Sequence, residues 1–192
     1  MKASLPRDYF DELYTQNPDP WNFATKPYEH EKYLATLEHL PKASYNQTLE
    51  LGCSIGVLSE MLGSRTEQLL SVDAAQIALD QAKQRCANIK NIRFQRATLP
   101  AEFPAGEFDL VLMSEVGYYF ALPDLKVLSE KTIHSLQANG DLVLVHYLPL
   151  VPDYPLTGDE VHEFFLQLPD LEHLKGFRAE RYRFDSFRKR ST

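Results

Sequence analysis

The stretch Leu49-Glu50-Leu51-Gly52-Cys53-Ser54-Ile55-Gly56, with Asp73 twenty-one positions after Gly52, constrains this chain more than any other. Thr48 to Leu51 reads as the apolar end of a strand, Gly52 to Gly56 as a turn that needs bare backbone, and Val57 to Leu62 as the opening of a helix. Gly52 can take backbone angles closed to other residues, and Gly56 lets the helix approach its neighbours. A strand, a glycine turn and a helix N-terminus predict a pocket of backbone N–H groups facing a ligand. Leu69 to Asp73 reads as the next strand, ending in a carboxylate placed to accept hydrogen bonds from a ribose diol. Ala74, beside it, falls in the same site.

The turn also discriminates between nucleoside cofactors. A dinucleotide fingerprint wants G-x-G-x-x-G, because the second glycine admits a pyrophosphate and the third packs the helix. Here those positions are Gly52, Ser54 and Val57. Glu50 stands two residues before Gly52, where its charge repels a pyrophosphate and attracts an ammonium group. A nicotinamide-dependent oxidoreductase is therefore disfavoured. E-x-G-x-x-x-G followed by a strand-end acid resembles the first two motifs of class I S-adenosyl-L-methionine (SAM) methyltransferases, whose product is S-adenosyl-L-homocysteine. The plainer alternative is a glycine turn in which Asp73 merely caps the helix beginning near Ala75.

The whole chain is consistent with such an enzyme. Its 192 residues, 44% hydrophobic, suffice for one domain with a substantial core. A net charge of −7 leaves no general basic surface for phosphates, so nucleic acid is a disfavoured partner. Cys53 and Cys86 are too few for a disulfide framework and lack metal-ligand spacing, so no metal is expected. MKASLPRDYFDELY holds no apolar signal core, and no run approaches the ~20 apolar residues of a membrane span, which predicts a soluble, cytoplasmic protein.

In chain order, Arg7 to Gln16 predicts an amphipathic helix, which the prolines of Asn17-Pro18-Asp19-Pro20-Trp21 bring to an end. Thr25 is the expected N-cap of a helix running through about Leu40, with Pro27 in its first turn. Ala75 onward is a helix, Ile92 to Ala97 a strand, and Phe108 to Met113 an apolar run suited to a central parallel strand. Asp124 to Gln137 is the next helix, Asn139-Gly140 a turn, and Leu142 to Tyr147 a further buried strand. Thr157 and Glu160 form a capping box for a helix through Leu168. Leu171 to Arg188 reads as an antiparallel hairpin, its basic residues lying on a solvated edge. The alternation predicts an α/β fold: a doubly wound, mostly parallel Rossmann-like sheet with a C-terminal antiparallel hairpin and an N-terminal helical cap. Residues 1–192 are expected to form one domain, divided into a cap (1–44), a cofactor-binding core (45–148) and a substrate-side segment (149–192). Ligands bind outside the carboxyl ends of such strands, where Glu50–Gly56, Asp73, Thr98, Leu99, Ser114, Glu115 and His146 converge.

Several segments together resemble the rhizobial nodulation N-methyltransferase (NodS) family. They are Phe10-Asp11-Glu12-Leu13-Tyr14 with Pro18-Asp19-Pro20-Trp21, Tyr28-Glu29 to Lys32-Tyr33, Gly52 to Gly56, and Ser114-Glu115-Val116 with Tyr118-Tyr119. Gly140 to His146 and Asp153 to Asp159 with His162 complete the set. Thr98 and Gly117 depart from the family pattern. The resemblance implies a SAM-dependent methyltransferase acting on an amine or hydroxyl of a small molecule, an amino sugar among the candidates. Trp21 and Tyr28 would then close over the cofactor held by Glu50, Gly52, Cys53, Ser54, Gly56, Asp73, Ala74, Thr98, Leu99, Ser114 and Glu115. Tyr118, Tyr119, Tyr154, Asp159 and His162 would line the acceptor site. A protonated amine cannot attack, so a base is needed. His146, with an ordinary pKa near neutrality, is the favoured candidate and Glu115 the second. A natural-product O-methyltransferase and a non-catalytic SAM-binding protein stay open.

Overall fold

Two prolines decide how the N-terminal segment is cut. Residues 2–191 are described by the structure, a computed structural model. α1 (Arg7–Gln16) ends before Pro18, and the Asp19 carboxylate then accepts from the N–H groups of Phe23 (2.8 Å) and Ala24 (2.9 Å), which tightens the loop. α2 (Pro27–Glu38) starts at proline, and its N-cap is Lys26, not Thr25. A residue before proline is pushed into extended geometry, and Lys26 takes ψ 123° accordingly, while the Thr25 N–H turns back to the Asn22 carbonyl.

The alternating elements follow: β1 (Tyr45–Leu51), α3 (Val57–Leu62), β2 (Thr66–Asp73), α4 (Gln76–Arg85), β3 (Ile92–Arg96), β4 (Phe108–Ser114), α5 (Leu122–Ser135), β5 (Leu136–Tyr147), α6 (Gly158–Leu166), β6 (Leu171–Arg178) and β7 (Tyr182–Lys189). They build a seven-stranded sheet in the order β3-β2-β1-β4-β5-β7-β6. The first five strands are parallel, and β7 enters antiparallel between β5 and β6. The all-apolar runs Leu110–Met113 and Leu142–Val145 are fully buried at the sheet centre, as strands covered on both faces must be. The expected capping box opens α6, with Thr157 and Glu160 each bonding the other's backbone N–H.

Two boundaries differ from the sequence pattern. The chain leaves α5 at Ser135, before Gln137, because Leu136 pairs with Phe108 and is buried there. Asn139-Gly140 is an irregularity inside β5 and not a free turn: Asn139 takes φ 59° where the pairing with β4 shifts register. The basic residues of the hairpin are also less solvated than anticipated. Arg188 bonds buried Asp141 at 2.9 Å, and Arg183 reaches Asp159, Glu163 and Asp185 at once. Among the described residues no helix is long and apolar enough to cross a membrane. No group of three or more His, Cys, Asp or Glu side chains among them could hold a metal ion.

Gly56 shows how tightly these layers are set. It caps α3 in the left-handed region (φ 79°), and a Cβ there would stand 2.8 Å from the Ala82 Cβ and 2.9 Å from its Cα on α4. Gly56→Ala should destabilise the fold by about 1–3 kcal/mol, combining strained backbone with overpacking. Adding Ala82→Gly should recover only the packing part, since the backbone strain stays. Denaturant melts of the two single variants and the double variant separate the contributions.

Candidate active site

At the carboxyl ends of β1, β2 and β4 the chain surrounds a cleft lined by Glu50, Gly52, Asp73, Thr98, Ser114 and Glu115, among others. The turn after β1 carries Gly52 at φ 76° and Ser54 at φ 52°. Its donors are used internally: the Gly52 and Cys53 N–H groups donate to the Val72 carbonyl (2.8 and 3.0 Å), and Gly56 donates to Cys53. The Ser54 N–H donates to Asp73 Oδ2 at 2.8 Å. The expected cradle of free N–H groups is therefore absent from these positions. What the turn offers is carboxylate, because strand pairing consumes its donors.

Two buried acids set the electrostatics. Glu50 Oε2 accepts from the hydroxyls of Ser59 (2.5 Å) and Ser71 (2.6 Å). Burial pushes the Glu50 carboxyl up to about 7, although the two hydroxyl bonds oppose the shift. Asp73 is also raised by burial, and the N–H groups of Ala75 and Ser54 pull it back. Asp73 does cap the turn into α4, through Ala75 N–H at 2.9 Å, and it lines the cleft as well.

The N-terminal segment covers this floor. Phe10, Tyr14, Trp21 and Phe23 line the cleft from above. The Leu5 N–H donates to the Tyr119 carbonyl at 2.9 Å, and the Tyr14 hydroxyl meets Ser54 Oγ at 2.5 Å. The cavity left beneath is about 100 Å³, below the ~300–1,000 Å³ typical of small-ligand pockets. A nucleoside-sized ligand thus requires the covering segment to lift.

Glu115 stands at the opposite wall with φ 59°, a left-handed conformation uncommon outside glycine. Its Oε1 meets the Lys32 ammonium at 2.5 Å, and its Oε2 accepts from the Tyr118 hydroxyl and from the Tyr147 N–H (2.9 Å). Lys32, 2% exposed, also reaches Glu29 at 2.7 Å. Burial alone would lower the Lys32 pKa, but the charges of Glu115 and Glu29 raise it above its usual value. Sequence reasoning gave Lys32 no role. The signal was present: Glu29, Lys32, Tyr33, Thr36 and Leu37 form the buried stripe of α2 at helical spacing, with two charges inside it.

The remaining predicted residues divide clearly. Trp21, Cys53, Ser54, Ala74, Leu99 and Tyr119 line the cleft. Gly56 packs on α4 behind it, and the Tyr28 ring lies against Tyr182 and the Lys32 ammonium. Tyr118 stacks on Tyr154 at 5.0 Å, outside the lining. Asp159 faces away, gripped by Arg178 and Arg183. His146 and His162 are fully buried, with Nδ1 of His146 3.0 Å from Nε2 of His162. Nε2 of His146 accepts from the Gly117 N–H at 2.9 Å. Burial lowers the pKa of both imidazoles, that of His146 strongly. The expectation that His146 presents a free lone pair to the acceptor is not met: the fold turns the ring inward, and a backbone donor occupies the nitrogen.

The model of the family described as Nodulation protein S (NodS) matches residues 10–145. The chain is 28% identical over 102 residues to Nodulation protein S of Bradyrhizobium diazoefficiens, covering 53% of this chain and 49% of that protein. It is 27% identical over 127 residues to Nodulation protein S of Azorhizobium caulinodans, covering 65% and 61%. The aligned stretch thus spans about half the length of the first of these relatives. Among solved structures, a Pseudomonas syringae protein assigned to the methyltransferases is 30% identical with a TM-score of 0.76, covering 85% of this chain and all of that one. The N-methyltransferase NodS of Bradyrhizobium japonicum WM9, in complex with S-adenosyl-L-homocysteine, superposes with a TM-score of 0.84 at 21% identity, covering 95% and 98%. These likenesses show a shared fold, that of class I methyltransferases.

The Lys32 ion pairs make a prediction independent of any ligand. Lys32→Met should lower stability by about 3–5 kcal/mol, the cost of stranding buried carboxylates. Adding Glu29→Gln should return part of that loss, because one of the two stranded charges is gone. Urea melts of wild type and both variants at neutral pH measure it.

Proposed function

This chain belongs to the NodS family, and from that membership we propose that it is a SAM-dependent methyltransferase acting on the amine of a small molecule. The observation that carries the reading is the strand-end turn whose own donors are bonded away while Glu50, Asp73 and Glu115 line one cleft. Such a site favours a cationic nucleoside over a pyrophosphate.

The residues present suit that cofactor. After its two backbone bonds Asp73 keeps a lone pair on each oxygen, enough for two ribose hydroxyls. Glu50 Oε1, which has no hydrogen-bond partner among the described residues, suits the methionyl ammonium. At the adenine end the Thr98 N–H already donates to Glu102 at 2.7 Å, which leaves the Leu99 N–H as the donor there. SAM supplies an electrophilic methyl carbon when bound. The chain's own groups do the rest. The N-terminal aromatics exclude water, and Glu115 uses its one remaining lone pair to orient the acceptor nitrogen. An ammonium has no lone pair to attack with, and removal of water from the cleft lowers the amine's pKa. His146 takes no part in the proton transfer.

Calorimetry tests the cofactor, and S-adenosylhomocysteine release across a panel of primary amines and phenols tests the chemistry. S-adenosylhomocysteine should bind and NAD should not; the reverse result would sink the reading. Asp73→Ala should weaken binding ~5–150-fold, the ~1–3 kcal/mol of partners left unsatisfied. Glu50 adds a pH signature. In the free protein it is protonated below about 7, and a neighbouring ammonium favours the charged form. Binding should therefore release a proton near pH 6.5 and tighten as pH rises through 7. Enthalpies measured in buffers of different ionisation heat should reveal that proton in wild type and not in Glu50→Gln.

A further inference from the structure

We propose that Asp185, His162 and His146 form a tautomer-setting chain that positions the Glu115–Tyr119 wall of the cleft, which makes His146 a positioning residue. Its consequence for turnover rests on the methyl-transfer reading above; its geometry does not.

The chain of inference starts at the carboxylate. Asp185 Oδ2 lies 2.6 Å from His162 Nδ1 and 2.7 Å from Arg183 Nε, and Oδ1 lies 2.6 Å from His173 Nε2. Burial raises the Asp185 pKa, but these donors leave it below its ordinary value. An ionised carboxylate only accepts, so His162 Nδ1 carries the hydrogen. His162 is buried and neutral, so its Nε2 is a lone pair, and His146 Nδ1 at 3.0 Å must donate to it. His146 is neutral for the same reason, which leaves its Nε2 as the acceptor for the Gly117 N–H. One acid on β7 thus dictates the proton on every nitrogen as far as the backbone beside the cleft.

That backbone needs holding. Glu115 sits at φ 59°, and such a residue persists only where its surroundings over-determine it. Its N–H donates to the Val145 carbonyl and its carboxylate takes the Tyr147 N–H; the His146 bond fixes the turn two residues on. Only glycine fits that place. A Cβ at Gly117 would lie 2.6 Å from Val161 Cγ1 and 2.9 Å from His146 Nε2. The departure of Gly117 from the family pattern is thereby explained: the missing side chain lets the imidazole reach the main chain. Glu115, Val116 and Tyr119, on either side of Gly117, line the cleft.

Nitrogen-15 histidine NMR on the full chain at pH 7 reads the tautomers directly. Both rings should be neutral and protonated on Nδ1, with a scalar coupling across the hydrogen bond from the Gly117 amide to His146 Nε2. An Nε2–H tautomer or an imidazolium at either ring overturns the proposal, whatever the protein catalyses. Substitution tests the role. His146→Gln can still accept from Gly117 but cannot take up a proton, so it should keep most of the activity on the amine that turns over fastest. His146→Leu should lose about 10²-fold in kcat/KM, as a misplaced wall would. Both variants should bind S-adenosylhomocysteine as wild type does. A folded, ligand-binding Gln variant as impaired as the Leu variant would make His146 a base and refute positioning. Failure of S-adenosylhomocysteine to bind any form would refute the methyltransferase reading instead, with the NMR result standing apart.

Discussion

The bond from the Ser54 N–H to the Asp73 carboxylate holds two strand ends in fixed relation, and most of the site follows from it. β1 and β2 are already parallel neighbours, with the Gly52 and Cys53 N–H groups on the Val72 carbonyl. The carboxylate closes the turn from the other side. Every N–H that could have made an anion cradle here is thereby directed into the protein. A glycine turn at a strand end is often associated with phosphate, yet its chemistry depends on where its hydrogen bonds go. In this chain they leave acids facing the cleft.

Those acids make the free protein electrostatically costly. Glu50, Asp73, Glu29 and Glu115 gather around one buried ammonium, Lys32. The cost is visible in Glu50, held near neutrality by burial. A site that bound nothing would gain stability from amides or apolar groups at these positions. The strain at Glu115 and the buried charge are the two places where local rules are broken, and both lie at the cleft, where proteins tolerate such departures for function.

The sheet, its order and the turn were legible because each rests on local pattern: all-apolar runs for central strands, glycine at left-handed positions, an acid at a strand end. The boundaries that moved did so for reasons no local pattern holds. Lys26 displaces Thr25 as cap through its proline neighbour, and Leu136 leaves its helix for a partner 28 residues earlier in the chain. Side-chain roles were harder. His146 ends a central strand as foreseen, but its orientation depends on Asp185, which comes 39 residues later and lies in a strand that pairs with it. Lys32 was hidden because a lysine in a helix normally faces water. Its place in the α2 stripe beside Tyr33 and Leu37 contradicted that, and the stripe should have outweighed the residue type.

The position of β7 has a consequence for biosynthesis. It is the latest strand in chain order, yet it lies inside the sheet, between β5 and β6. Asp185 and Arg188, the partners of buried His162 and Asp141, both belong to it. While the chain is being made, the nucleotide-fold half can collapse early around β1 to β5, since its contacts are sequential. The half that shapes the cleft wall stays open, with an uncompensated acid and a histidine pair free to adopt either tautomer, until β7 slots in. The nascent protein therefore completes its scaffold well before its active geometry, and the interval between the two is when its unpaired β5 edge is open to chaperones or to mispairing.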